Sequence, residues 1–97
     1  MLKMFETKVI LSYSVEKRIH KLPKQVINKL YVWQKQVQFL GIRKTRTIKG
    51  YHDEPLNGDR QNQRSFRLNK AYRGFYTVND SGEIEIVEVI EINKHKY

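Results

Sequence analysis

The strongest constraint on the fold is the parity of apolar residues between Phe66 and Val78. Phe66 and Leu68 alternate with Ser65 and Arg67, while Tyr72, Tyr76 and Val78 alternate with Arg73, Phe75 and Thr77. This is the period-two pattern of strands with one buried face. A three-residue turn at Asn69-Lys70-Ala71 pairs Leu68 with Tyr72, sets Phe66 against Gly74 and places Arg67 opposite Arg73. Apolar side chains then share one face and the arginines the other, whereas a two-residue turn mixes the faces. Two directly opposed arginines repel, so this register requires a carboxylate neighbour or an anionic ligand.

The remaining elements follow from similar patterns. Phe5, Val9, Leu11 and Tyr13 alternate in a first strand, and Ser14 can cap a short helix containing Ile19 and Leu22. Pro23 suits the first turn of a second helix and Gly41 its C-terminal cap. Between them Val26, Leu30, Trp33, Val37 and Leu40 form one apolar stripe at spacings of three and four, with Lys24, Lys29, Lys35 and Gln36 off it. Trp33 could be a ligand platform, but its spacing places it in the expected core. From Ile42 to Arg64 the chain is polar and turn-rich, broken by Gly50, Pro55 and Gly58. Asn79-Asp80-Ser81-Gly82 makes a hairpin turn into a last strand, Glu83 to Ile92, with Ile84, Ile86, Ile90 and Ile92 on one face. Glu88 interrupts that parity, either at a bulge or as a partner for an arginine. The expected fold is α+β in the order β-α-α-β-β-β, an antiparallel sheet with two N-terminal helices on one face.

Ninety-seven residues suffice for one domain with a modest core, spanning 1–97. There is no cysteine, which excludes disulfides and thiolate metal sites. No apolar run approaches membrane-spanning length, and the start lacks the apolar core of a signal peptide, so a cytoplasmic protein with no membrane role is expected. The charge is lopsided. Residues 1–50 hold twelve Lys/Arg against two Glu, and residues 51–97 hold seven against eight Asp/Glu, for a total of +9. Such a charge suits a polyanionic partner, either nucleic acid or an acidic protein, or else a merely solvated basic surface. The cluster Arg43, Lys44, Arg46 and Lys49 either lines a nucleic-acid path or is a solvated linker.

Four segments in order carry a family resemblance: His52-Asp53-Glu54-Pro55-Leu56-Asn57-Gly58, Arg64-Ser65-Phe66-Arg67-Leu68, Ala71-Tyr72-Arg73 and Asn93-Lys94-His95-Lys96-Tyr97. Over essentially the whole chain they resemble the RelE/ParE superfamily of bacterial type II toxins, nearest its HigB- and YoeB-like ribonuclease branch. The resemblance implies a toxin encoded beside an antitoxin, cleaving messenger RNA on the ribosome. The ParE branch instead poisons DNA gyrase, and a basic RNA- or ribosome-binding module without catalysis is a third possibility.

Cleavage of RNA without a metal uses the ribose 2′-OH against its own 3′-phosphate. It needs a base, an acid for the departing 5′-oxygen, and cations for the developing phosphorane charge. Arg67 and Arg73 suit the cationic role, since a guanidinium is a fixed fork that stays charged; the alternative is a salt bridge to Glu88 or Glu91. Glu54, matching the YoeB-like carboxylate, is the candidate base if burial or neighbouring acids raise its pKa, or else a loop anchor. His95 matches the family's ending, and an imidazole can serve as acid or base; the alternative is a histidine that is merely exposed. Tyr97 can stack on a base or donate its phenol. Arg60, Arg64, Lys94 and Lys96 extend the candidate RNA path. His20 is assigned to the surface, and His52 is a minor candidate. No His/Asp/Glu spacing suggests a metal, and neither metal nor small-molecule cofactor is expected.

Overall fold

The computed structural model describes residues 6–80 and 82–94. Its first strand, β1 (Glu6–Leu11), buries Thr7 and Val9 and exposes their neighbours. Phe5 lies outside the described residues. Tyr13 does not continue the strand: it opens helix α1 (Tyr13–Arg18) and is largely exposed. Ser12 rather than Ser14 caps this helix, its Oγ accepting the Val15 N–H at 3.2 Å, so one orphan donor of the first turn is satisfied two residues earlier than expected. A single 3₁₀ turn over Ile19–Lys21 leads to α2 (Lys24–Leu40), with Pro23 at its N-cap.

Helix α2 buries Val26, Leu30, Trp33 and Val37 completely. Leu40, assigned to the same stripe, is exposed, because the chain turns at Gly41 with φ +87° and the next buried residue is Ile42. Ile42 opens a third short helix, α3 (Ile42–Arg46), where a polar linker was expected. Its signal is one turn wide: Ile42 and Thr45, three apart, are both buried, and the Thr45 hydroxyl donates back to the Gly41 carbonyl at 2.9 Å.

The rest of the chain is β2 (Glu54–Pro55), β3 (Arg64–Arg67), β4 (Tyr72–Asp80) and β5 (Ile84–Lys94). The sheet order is β1-β5-β4-β3-β2. The α+β class stands as expected, with α3 and the two-residue β2 added to the expected order, and the sheet is mixed, because β1 runs parallel to β5 while the other pairs are antiparallel. Between β1 and β5 the chain passes through three helices and β2–β4, the long crossover that a parallel neighbour needs.

The β3–β4 hairpin has the expected register. Phe66 pairs with Gly74, Arg67 with Arg73, and the Leu68 N–H donates to the Tyr72 carbonyl at 2.9 Å. The Asn69 carboxamide closes the turn by accepting from the Ala71 and Tyr72 N–H groups, both at 2.8 Å. On the helix-covered face, Phe66 stacks on Trp33 with centroids 3.9 Å apart and planes within 9°, and Tyr76 tilts against both rings. This aromatic cluster requires Gly74, because a Cβ there would lie 2.5 Å from the Phe66 ring.

In β5 the buried residues are Glu85, Val87 and Val89, whereas Ile84, Ile86 and Ile90, read as one apolar face, are only half-buried. The registers Tyr76↔Val89 and Phe75↔Glu91 leave Ile90 as an extra residue, a β-bulge that flips the parity and returns Ile92 to the core side opposite Gly74. Glu88 pairs across from Thr77 on the second face. The bulge therefore falls two residues beyond the position that broke the sequence pattern.

The candidate active site on the open sheet face

Strand parity divides the arginines of the second half into two groups. Asp53, Arg64 and Tyr76 lie on the helix-covered side. The Asp53 carboxylate is almost wholly buried and accepts from Arg64 Nε at 2.6 Å and from the Tyr76 hydroxyl at 2.6 Å. Arg46, from α3, donates to the same hydroxyl at 3.0 Å. Burial first, and then the Asp53 hydrogen bond, push the Tyr76 phenol well above its ordinary range, with Arg46 pulling partly back. The phenol is thus a fixed neutral donor. Burial alone would lower the Arg64 pKa, but the bond to Asp53 and its charge raise it. Arg46 and Arg64, grouped by sequence with the RNA-facing cations, direct donors into this network. It braces the loop before β2.

That loop presents Glu54 on the opposite side of the sheet. His52, just before it, has φ +44°, a left-handed conformation uncommon for a side-chain-bearing residue. The resulting turn aims the His52 carbonyl at Arg73, whose Nη2 donates to it at 3.3 Å and to the Ser65 hydroxyl at 2.7 Å. The same nitrogen lies 3.6 Å from Glu54 Oε1. The Arg73 side chain is 17% exposed and that of Glu54 64%. Arg73 is therefore held in place by buried Ser65 beneath it, while Glu54 stands in solvent beside it. The exposed Glu54 carboxylate therefore lacks the burial that was one condition attached to its role as base.

Arg67 sits directly across from Arg73 and is half-buried. Among the described residues its guanidinium has no hydrogen-bond or ion-pair partner. Glu88 and Glu91 do not take up that role. Glu91 instead bonds Arg60 at 2.7 Å, and Arg60 also lies over the Phe75 ring, 4.6 Å from its centroid. One open face thus carries Glu54, Ser65, Arg67, Arg73, Phe75 and Glu91, with Asn93 opposite Arg73. Ser65 and Phe75, paired across β3 and β4, were not singled out by sequence; their signal was parity, since both alternate with core residues on the strands that carry the arginines.

Arg43, Lys44 and Lys49 are exposed on α3 and the 3₁₀ turn after it, and Lys94 is exposed at the end of β5. His20 is exposed, as assigned. His95, Lys96 and Tyr97 lie outside the described residues. Among the described residues no group of three or more His, Asp or Glu could hold a metal ion, and no helix is long and apolar enough to cross a membrane.

No known sequence-family profile matches the chain, and no curated protein sequence matches it. Solved structures do. A YoeB/ParE toxin from Agrobacterium tumefaciens superposes with a TM-score of 0.69 at 22% identity, covering 92% of this chain and 99% of that one. The toxin fold also recurs in the E. coli DinJ-YafQ toxin-antitoxin complex, with a TM-score of 0.71, 16% identity and 94% of each chain covered. An archaeal RelE-RelB complex from Pyrococcus horikoshii OT3 gives a TM-score of 0.68 at 16% identity, covering 95% of this chain and 96% of the other.

Proposed function

We propose, from a chain with the fold of the RelE/ParE-superfamily toxins, a toxin of a type II toxin-antitoxin system that cleaves messenger RNA on the ribosome without a metal, in the cytoplasm. The observation that carries this reading is the opposed pair Arg67 and Arg73. One guanidinium is anchored by Ser65 and the other lacks a partner among the described residues. Two cations held side by side on an open face favour an anion between them, and a guanidinium fork suits phosphate oxygens.

In the reaction the 2′-oxygen bonds to phosphorus, its proton passes to a base, and the P–O5′ bond breaks as the 5′-oxygen takes up a proton. A cyclic 2′,3′-phosphate and a 5′-hydroxyl result. Arg67 and Arg73 stabilise the charge that develops on the phosphorane oxygens. Glu54, beside Arg73 and with no other side-chain partner among the described residues, is the base; covering it with RNA and ribosome supplies the desolvation that the free protein lacks. The roles of His95 as acid and Tyr97 as a base-stacking or donating group rest on the resemblance of the chain's ending to the family's. Positioning by the ribosome supplies part of the rate, because among the described residues the face holds no paired histidines to act as acid and base alone.

The test is single-turnover cleavage of a defined messenger on translating ribosomes. The wild-type protein is expected to cut it, and Glu54→Gln to cut about ten- to a hundredfold more slowly, with an unchanged melt. Double-strand DNA breaks with intact messenger RNA would point to gyrase. Arrest with uncut RNA would leave a non-catalytic binder, and efficient cutting of ribosome-free RNA would remove the ribosome requirement.

The +9 charge and the open cationic face also support a cognate antitoxin that is acidic or partly disordered and folds onto the toxin. The solved complexes with DinJ and RelB support the same partner class. Co-expression with the adjacent open reading frame should yield one co-eluting complex on gel filtration. Separate elution at micromolar concentration would count against it.

A further inference from the structure

On the open face two arginines stand in opposite states. Arg67 has no partner among the described residues, whereas Arg60 has its charge met. Arg60 Nη2 donates to Glu91 at 2.7 Å and its Nε to Gln63 at 2.7 Å, while Glu91 in turn accepts from the Asn93 carboxamide. The guanidinium carbon lies 4.6 Å from the centroid of Phe75. The fold gains little from this arrangement. The Arg60 and Glu91 side chains are 39% and 36% exposed, and an ion pair so exposed contributes little to stability. What the contacts do achieve is to hold a cationic group over an aromatic ring on the side of the sheet that no helix covers.

A partner for this pair needs no negative charge, because Glu91 already supplies it. It needs a flat polarisable surface. Phe75 and Arg73 are two residues apart on β4 and share a face, about 7 Å along the strand. That distance is within the reach of one nucleotide from a phosphate held between Arg67 and Arg73. Unpaired bases stack on guanidinium planes and on aromatic rings alike.

We propose that Arg60 over Phe75 is a stacking platform for the nucleobase adjoining the phosphate bound at Arg67 and Arg73. The proposal rests on the RNA reading of this face and names a base-binding subsite within it. Gln63, Glu91 and Asn93 orient the platform, and it selects an unstacked, single-stranded base without reading its edge.

The probe is a single-stranded RNA oligonucleotide with 2′-O-methyl groups throughout, carrying 2-aminopurine at one position at a time. Because it has no nucleophile, it reports binding alone. With the wild-type protein, one label position should lose fluorescence as anisotropy rises. Phe75→Leu and Arg60→Ala should abolish the quench and weaken binding about five- to a hundredfold. Phe75→Tyr should keep both. Melts of the variants confirm that they fold, as expected for residues outside the core. Absence of binding, binding with no quenched position, or a full quench in Phe75→Leu each overturns the platform. Quenching in a protein that leaves messenger RNA uncut on ribosomes would retain the platform and remove the ribonuclease. Cleavage without quenching would do the reverse.

Discussion

Arg73→Ala is expected to slow cleavage on ribosomes by roughly two to three orders of magnitude, the usual loss for one fixed donor to a transition-state oxyanion. The effect is large because Arg73 is preorganised: Ser65 and the His52 carbonyl hold one of its nitrogens before substrate arrives, so little reorganisation remains at the reaction step. Removing the side chain leaves the Ser65 hydroxyl without this contact, at a cost of about 1 kcal/mol. The melt should therefore move little. Arg73→Lys should recover only part of the rate, since an ammonium cannot keep the Ser65 contact and present a planar fork together. The measurement is single-turnover cleavage beside a thermal melt. A protein that melts far earlier yet cuts normally while folded would make Arg73 structural, and the phosphorane assignment would fall.

The largest expected effect on stability comes from Gly74→Ala. The added methyl would lie 2.5 Å from Phe66, whose ring is fully buried and stacked on fully buried Trp33. A flexible side chain would swing aside, but this ring is confined between Trp33, Tyr51 and Tyr76. Overpacking of this kind costs about 3 kcal/mol, the upper part of its usual range. For a domain of this size the melting temperature should fall on the order of 15 °C. Gly74→Ala combined with Phe66→Leu should recover part of the loss, because the smaller side chain vacates the space that the methyl needs. An unchanged melt for Gly74→Ala would show that β4 and Phe66 separate at no cost, contrary to the packing. Because Arg73 adjoins Gly74 in the same strand, activity in this variant should be read only at temperatures where it remains folded.

Several features were legible in the sequence because neighbouring residues determine them. The β3–β4 register follows from the parity of Phe66, Leu68, Tyr72 and Tyr76 across a three-residue turn, and the same parity puts Arg67 and Arg73 on the open face. The α2 stripe from Val26 to Val37 follows from helical periodicity, and its end from the positive φ that Gly41 adopts readily.

Tertiary structure alone decided the rest. That β1 lies parallel to β5 depends on a pairing across nearly eighty residues, about which strand periodicity says nothing. The bulge at Ile90 gave the core to Val87 and Val89, because the twist and pairing of β4 choose between two apolar faces that look alike in sequence. Arg46, Asp53 and Tyr76, distant in the chain, meet only when α3 packs beside the sheet. A list of cations cannot separate Arg64, turned inward to a buried carboxylate, from Arg67, turned outward with no partner among the described residues. Local pattern determined the faces of α2 and of the β3–β4 hairpin; three-dimensional packing determined the buried face of β5 and which charges are neutralised, because both need partners that the chain brings from far away.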